Sequence, residues 1–413
     1  MNLRPYQEQG RDWLAGKRHA LLADEMRVGK TPQAILAAQQ IGARRVLVLC
    51  PAIAAEHWRR EWSKWANAYA TVLERGVWSP TGVIISGYER ALSMRDILLA
   101  EKWDLVIVDE CHYAKNPEAL RTKLVYGKEG LAHKAPRLWA LSGTPAPKHA
   151  AELWPMLRTF GAVGCGYQDF VTAYCRTDAL GHILGTKESA IPELRTLLEP
   201  IMLRRTRKQV APEMPGIDFQ FLAVRPKDEA DYRLPEGLQG EDLLAWLEAH
   251  PTTSADDRQS VALAKVVPLL EHVQFALGEG LLDKAVVFGY HVNPLTSLAQ
   301  ELSRSGIRAG LITGATSQKE RTRIQDEFLG GGVDVVVANL LAAGTAIDLS
   351  AARHAYLLEM DWVPGNNLQA VNRLVNMQRG DGVTVDVVTW PGSTDDRVQQ
   401  VLMRRVRELS QLY

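Results

Sequence analysis

The sequence predicts an α/β protein of two units, each a doubly wound parallel sheet covered by helices on both faces. Three observations carry this. Short runs that are apolar throughout, such as residues 46–50 and 105–108, alternate with helical patterns along most of the chain, as strands buried on both faces of a parallel sheet must. The chain has 413 residues, beyond the roughly 250–300 at which single cores stop growing. A small-residue turn ending in Gly29-Lys30-Thr31 lies between an apolar run and a helical pattern, where a parallel sheet places its ligand-binding loops.

In chain order, residues 4–10 lead into a helix and residues 20–23 form a short buried strand before the turn. Pro32, tolerated in a helix's first turn, opens the next helix with Ile35 and Leu36 behind it. A second strand, residues 45–50, stops at Pro51; Trp58, Trp62 and Trp65 then mark one helical face, read as core packing. Strands follow at 83–86, 103–110 and 137–145. Residues 150–200 are expected to be a helical protrusion, ending in the basic cluster Arg204, Arg205, Arg207 and Lys208. The first unit is thus expected over 1–212 and the second over 213–413, with a hinge at 214–216 and an exposed helical insert near 226–266. The second unit is read as strands at 219–224, 284–288, 309–312, 333–337, 355–359 and 383–388, with helices at 294–303, 317–328 and 368–376.

Composition narrows the function classes. Lys+Arg and Asp+Glu number 48 each, so any nucleic-acid surface must be local. The four cysteines form no C-x-x-C pair and the ten histidines show no metal-ligand spacing, which argues against a zinc site or a disulfide framework. The N-terminal residues carry no apolar signal region and no run of 18 apolar residues occurs, so a cytosolic protein without a membrane partner is expected.

The turn at 23–31 is built for a polyphosphate. Backbone N–H groups at a helix start point at an anion, Lys30 reaches the β/γ-phosphates, and the Thr31 hydroxyl can coordinate Mg2+. The usual spacing would put a first glycine at position 24, where this chain has Asp24. The acid such a site needs lies at the end of the strand at 103–110: Asp109 as a Mg2+ ligand and Glu110 to polarise the attacking water. Together these residues supply the two roles that phosphoanhydride hydrolysis needs.

At this point the chain resembles the Swi/Snf-type branch of superfamily 2 helicases and translocases, the DEAD/DEAH-box P-loop ATPases. Leu3-Arg4-Pro5-Tyr6-Gln7 resembles the adenine-recognition motif, residues 22–31 motif I, and Cys50-Pro51 with Trp58, Glu61 and Trp62 motif Ia. Asp109-Glu110-Cys111-His112 is similar to motif II, Ser142-Gly143-Thr144-Pro145 to motif III, and Leu203-Arg204-Arg205-Thr206 to the segment leaving the first lobe. Residues 343–349 resemble motif V, and Glu359 to Gly365 followed by Gln369-Ala370-Val371-Asn372-Arg373 resembles motif VI. The resemblance implies two RecA-like lobes with ATP and Mg2+ as cofactors. It implies catalytic roles for Lys30, Asp109, Glu110, Gln369 and Arg373, and nucleotide binding by Arg4, Gln7, Arg27, Val28, Gly29, Lys30 and Thr31. It further implies metal ligation by Thr31 and Asp109, coupling through Ser142, Gly143, Thr144, Gly344 and Asp348, and DNA contacts at Ser86, Tyr88 and Thr345. The expected partner is double-stranded or forked DNA, acted on by a monomeric translocase of a bacterial or phage-infected cell. The compact insert and Leu263-Ala264-Lys265-Val266 are similar to the annealing-helicase subgroup.

Five residues depart from the family pattern. Arg27 occupies the place of a family glycine, Cys111 that of a small residue, and Ala346 and Asp348 those of glycine and asparagine. In motif VI, Asn376 stands where the family has a second arginine; Arg379 nearby is read as a solvated loop residue. If that arginine finger is needed, the alternative is a nucleotide-gated DNA-binding clamp with weak or no ATP turnover.

Overall fold

The computed structural model describes residues 2–73, 81–212, 216–226, 251–343, 347–376, 382–395, 399 and 402. The chain divides into two compact units, one containing Met1–Pro212 and the other Glu213–Arg407.

In the first unit seven strands form one sheet in the order β3-β4-β2-β5-β6-β1-β9. They are β1 (His19–Leu22), β2 (Val46–Cys50), β3 (Ala70–Val72), β4 (Val83–Gly87), β5 (Leu105–Asp109), β6 (Leu138–Leu141) and β9 (Met202–Leu203). Every neighbouring pair is parallel. The strands are apolar throughout because helices cover both faces, giving two core clusters, one on each side of alternating residues such as Leu21 and Leu22. Trp58 and Trp62, on the helix Ala55–Ala66, pack in one of these clusters. The chain passes from β1 to β2 over the two intervening places later filled by β5 and β6, so the carboxyl ends of β5, β6 and β1 are neighbours. Neighbouring strands lie about 4.8 Å apart, close enough for their loops to share one site.

Four strands escape the sequence reading. β3 and β9 have two or three residues each, too few to show a pattern. The protrusion expected to be helical contains the antiparallel hairpin β7 (Cys175–Thr177) and β8 (Ile183–Thr186) between the helices Tyr167–Tyr174 and Ile191–Leu198. Asp178 closes that hairpin by accepting from the Leu180 and His182 N–H groups at 2.9 and 2.8 Å.

The second unit is a six-stranded parallel sheet in the order β10-β15-β14-β11-β13-β12. Its strands are β10 (Ile217–Ala223), β11 (Ala285–Gly289), β12 (Ala309–Ile312), β13 (Val335–Asn339), β14 (His354–Leu357) and β15 (Val383–Thr389). The helix expected over 368–376 instead runs Pro364–Val371, because Pro364 opens it and the Asp361 carboxylate accepts from Val363 N–H at 2.9 Å and Asn366 Nδ2 at 2.7 Å just ahead of it. Of the expected insert, Pro251–Ala264 is helical, and residues 227–250 lie outside the described residues, as does most of the expected hinge.

Side chains tie neighbouring strands of this sheet together at its carboxyl edge. Glu359 accepts from Tyr290 N at 3.1 Å and His291 N at 2.9 Å, joining β14 to β11. Asn339 donates to the Tyr290 carbonyl, joining β13 to β11, and the buried Lys265 amine donates to Leu358 O and, at 2.9 Å, Val388 O, joining β14 to β15. Arg321 donates to Thr313 O at 2.7 Å and Ala342 O at 2.8 Å, linking the loops after β12 and β13.

Candidate nucleotide site

The carboxyl ends of β1, β6 and β5 bring motifs I, III and II together in the first lobe. Gly29 caps the helix Lys30–Gln40 at φ 80°, and a Cβ there would come within 2.4 Å of Gln7 Nε2, so only glycine fits. Arg27 has φ 67°, the left-handed conformation. The family's glycine adopts this region freely, whereas arginine holds it at a cost of about 1–2 kcal/mol, a form of strain that clusters at functional sites. The Lys30 ammonium donates to Asp24 O at 2.8 Å and Glu25 O at 3.2 Å. Burial lowers its pKa, while Glu110, Asp24 and Asp109 hold its charge in place.

Asp24, where a first glycine was expected, is wholly buried and paired with Arg205 through both carboxylate oxygens, Nε to Oδ1 at 2.9 Å. Arg205 also donates to the Tyr6 carbonyl and to Gln33 Oε1 at 2.9 Å, and Gln33 donates to Gly29 O at 2.9 Å. A Cβ on Gly10 would sit 1.8 Å from Gln33 Oε1, so a larger residue at this helix position would have to push that amide aside. The basic segment is therefore a brace for the loop: β9 carries it alongside β1, Glu25 N bonds Arg205 O at 2.9 Å, Arg204 reaches Ala23 O and Gly143 O at 3.0 and 3.1 Å, and Arg207 holds Glu25. Only the acid at position 24 and the arginine cluster 180 residues later signalled this in the sequence.

Gln7 takes part in the same frame. Its Nε2 donates to Val28 O at 3.1 Å, beside the Tyr6 hydroxyl at 3.0 Å, and its Oε1 accepts from Arg4 N at 2.9 Å. The structure thus sets Gln7 against the phosphate loop and places Arg4 ahead of the helix Pro5–Ala15. Thr31 is the second residue of the helix that Gly29 caps.

At the end of β5, burial and then the neighbouring Glu110 push the Asp109 carboxyl up to about 6. Its Oδ2 accepts from Trp58 Nε1 at 2.8 Å and its Oδ1 from Glu110 N at 3.0 Å, so a tryptophan read as core packing also aims the acid. Glu110 has φ 49° and ψ 53°. Its Oε2 lies 3.3 Å from His112 Nδ1 and 3.4 Å from Ser142 Oγ, and those two are 3.1 Å apart. Burial first, and Lys115 second, depress His112 to about 4, so it is neutral at pH 7. Motif III thereby touches motif II through Ser142, whose Oγ also accepts from Thr144 N at 3.1 Å, and touches motif I through Gly143, where a Cβ would meet Met26 Cγ at 2.9 Å. A hydroxyl, a neutral imidazole and a carboxylate in one triangle make movement at any one felt by the others.

The donor set fits Mg2+: one carboxylate and a threonine hydroxyl are hard oxygen ligands, and this ion is commonly held by one or two carboxylates with the rest from phosphate and water. Among the described residues no group of three or more His, Cys, Asp or Glu converges as a protein-only metal cage would.

The structure places the two residues expected to contact DNA, Ser86 and Tyr88, in the interior. Ser86 is wholly buried at the end of β4 and donates to Gly87 O at 3.1 Å, and Tyr88 is 4% exposed, so neither has a face for a phosphate backbone. In the second lobe Gln369 lies on the helix Pro364–Val371 and Arg373 follows it, its carbonyl accepting from Leu349 N at 3.1 Å. Asp348 bonds its own turn at Ser350 N, 3.0 Å, and Asn376 Nδ2 faces Ser350 Oγ at 3.5 Å. Gly344, Thr345 and Arg379 lie outside the described residues.

Comparison with known proteins agrees with this frame. Residues 6–232 match the SNF2-related domain and residues 269–378 the helicase conserved C-terminal domain. The chain belongs to the SNF2-related family. It is 26% identical to a SWI/SNF-related matrix-associated actin-dependent regulator of chromatin subfamily A-like protein 1 of Xenopus tropicalis, over 99% of this chain and 45% of the relative. It is 25% identical to a DNA annealing helicase and endonuclease of Bos taurus (98% and 40%) and 27% to a chromodomain-helicase-DNA-binding protein 1-like of Danio rerio (98% and 43%). The chain spans less than half the length of these relatives.

Two outcomes follow from this geometry. Arg205→Ala leaves Asp24 buried without its cation and should destabilise the protein by about 3–5 kcal/mol in urea unfolding; a loss under about 1 kcal/mol would show that the pair does not hold the loop. Asp109 has its folded pKa raised from 3.8 to about 6, so the folded state binds the extra proton and its stability falls as pH rises through that window. Asp109→Asn should therefore raise Tm of the metal- and nucleotide-free protein at pH 7 by roughly 2–4 °C. The gain should vanish below about pH 4, and a pH-independent change would refute burial as its cause.

Proposed function

We propose that the chain is an ATP-dependent motor that moves on or remodels double-stranded DNA. The observation that carries it is the meeting of Lys30, Asp109, Glu110 and Ser142 at one sheet edge, beside a helix start capped by Gly29. The names of its relatives, a DNA annealing helicase and a helicase-DNA-binding protein among them, support DNA as the substrate.

In this reading the backbone N–H groups of the Lys30–Gln40 helix and the Lys30 ammonium take the phosphates, so Lys30 exchanges two backbone carbonyls for the β/γ-oxygens. Asp109 and the Thr31 hydroxyl would hold Mg2+, which when bound offsets phosphate charge. Glu110 orients the attacking water and accepts its proton; next to it neutral His112 and Ser142 register the change and pass it to the segment at 143–144. Gln369 and Arg373 keep the catalytic roles that the resemblance implies, with Asn376 unable to supply a second charge. Binding through the phosphate backbone needs no base readout and makes affinity salt-dependent. We further read the motor as a monomer, cytoplasmic and without a membrane partner.

The test is ATP hydrolysis by the purified chain with no DNA and with single-stranded, duplex and forked DNA. Duplex or forked DNA should stimulate turnover most, and a rate indifferent to DNA would overturn the motor. Lys30→Ala should abolish turnover in a folded protein. Glu110→Gln should keep nucleotide affinity within about threefold while lowering kcat at least ~10²-fold, because it acts on the water and not on the phosphates.

Asn376 separates the motor from a nucleotide-gated clamp, since its amide delivers no full charge to the γ-phosphate. Asn376→Arg should raise DNA-stimulated kcat by about tenfold or more, as arginine fingers do. Arg373→Ala should remove the activity, and a negligible rate left unchanged by Asn376→Arg would favour the clamp.

A further inference from the structure

The Tyr88 side chain spans the first sheet beneath the acid pair. It follows Gly87, where a Cβ would meet Ala52 Cβ at 3.0 Å, so glycine lets the end of β4 lie against the segment after β2. The Tyr88 ring stacks on Tyr113 at 5.5 Å and 7°, which fixes it to the turn just after Glu110. Its hydroxyl donates to the Asp109 carbonyl at 2.7 Å. β2 lies between β4 and β5, so this bond reaches across a strand to the one peptide that joins the two acids.

That peptide is held at both ends. Its carbonyl is taken by Tyr88, and its N–H donates to Asp109 Oδ1 at 3.0 Å. Glu110 at φ 49° is outside the comfortable region for a side-chain-bearing residue. The low-energy escape is a rotation of the Asp109–Glu110 peptide, with opposite changes in ψ of Asp109 and φ of Glu110. That rotation swings the carbonyl away from Tyr88 and the N–H away from the carboxylate. Burial raises the Tyr88 phenol far above neutrality, so it remains a donor at every working pH.

We propose that Tyr88 is a positioning residue for ATP hydrolysis: its bond to the Asp109 carbonyl locks the strained Asp109–Glu110 peptide and thereby sets both carboxylates at once. This rests on the ATPase reading above, and it replaces the DNA role first expected of Tyr88. The same hydroxyl could not serve a phosphate backbone, being buried and already committed.

The experiment is Tyr88→Phe, which keeps the ring, its burial and its stack on Tyr113 and removes only the hydroxyl. Three quantities are read: steady-state ATP hydrolysis, the Mg2+ concentration that half-saturates tight ADP binding, and Tm. The variant should lose about tenfold in kcat, the factor for one hydrogen bond of ~1.4 kcal/mol, with KM for ATP within about twofold of wild type. Its half-saturating Mg2+ concentration should rise several-fold, and ADP affinity without Mg2+ should not change. A variant with wild-type kcat and wild-type Mg2+ requirement would overturn the proposal. So would a kcat loss matched by equal losses in metal-free ADP affinity and in Tm, the signature of a merely structural residue. A wild type that binds Mg-ADP and turns nothing over would sink the ATPase reading alone, and the Mg2+ shift would still decide what Tyr88 does.

Discussion

The buried pair of Asp24 and Arg205 is the constraint on which the first lobe's site depends. A carboxylate removed from water at the end of β1 is tolerable only with a cation and full hydrogen bonding, and Arg205 supplies both. To bring that arginine there, the chain must return after the whole protrusion and add β9 beside β1. Once it has done so, the remaining donors of Arg205 reach Tyr6 and Gln33, which fix the first helix and the helix bearing Lys30. A glycine-rich loop would wrap a phosphate by its own flexibility. Here the loop is held from outside by side chains of three distant segments, so it can carry a strained arginine at position 27 and keep its shape.

The chemistry sits where strain collects. Arg27 and Glu110, two of the positive-φ residues other than glycine, flank the place a nucleotide would occupy, one in motif I and one in motif II. Each is over-determined by neighbours: Gly29, Gln7 and Val28 on one side, Tyr88 and the Asp109 carboxylate on the other. Asp109 is itself unfavourable as a buried anion, which shows in its raised pKa. Such a site trades stability for readiness to bind a cation and phosphates.

The second lobe uses the same device without a phosphate loop. Its carboxyl edge is closed by side chains that tie neighbouring strands, and the Glu359–Asp361 segment is gripped by Arg258, which donates to Met360 O at 2.6 Å and lies against the Tyr290 and Trp362 rings at 5.2 and 4.8 Å. Gln369 and Arg373 follow directly from that gripped segment.

The architecture and the place of motifs I and II at strand ends were legible in the sequence by itself. Fully apolar strands, Gly29-Lys30-Thr31 and Asp109-Glu110 are local signals, because burial on both faces and phosphate geometry dictate residue type within a few positions. What tertiary structure decided was everything that joins residues far apart: that Arg205 belongs to Asp24, that Trp58 aims Asp109, and that the basic cluster braces the loop. Ser86 and Tyr88 show the limit most plainly. A strand end reads as a surface, and only the packing of Ser86 inside β4 and of Tyr88 beneath β5 reveals that both are interior, with the tyrosine hydroxyl spent on a backbone carbonyl 21 residues away. Spacing along the chain encodes which face a residue takes within its own element, whereas its partner across the sheet depends on strand order, which no local pattern contains.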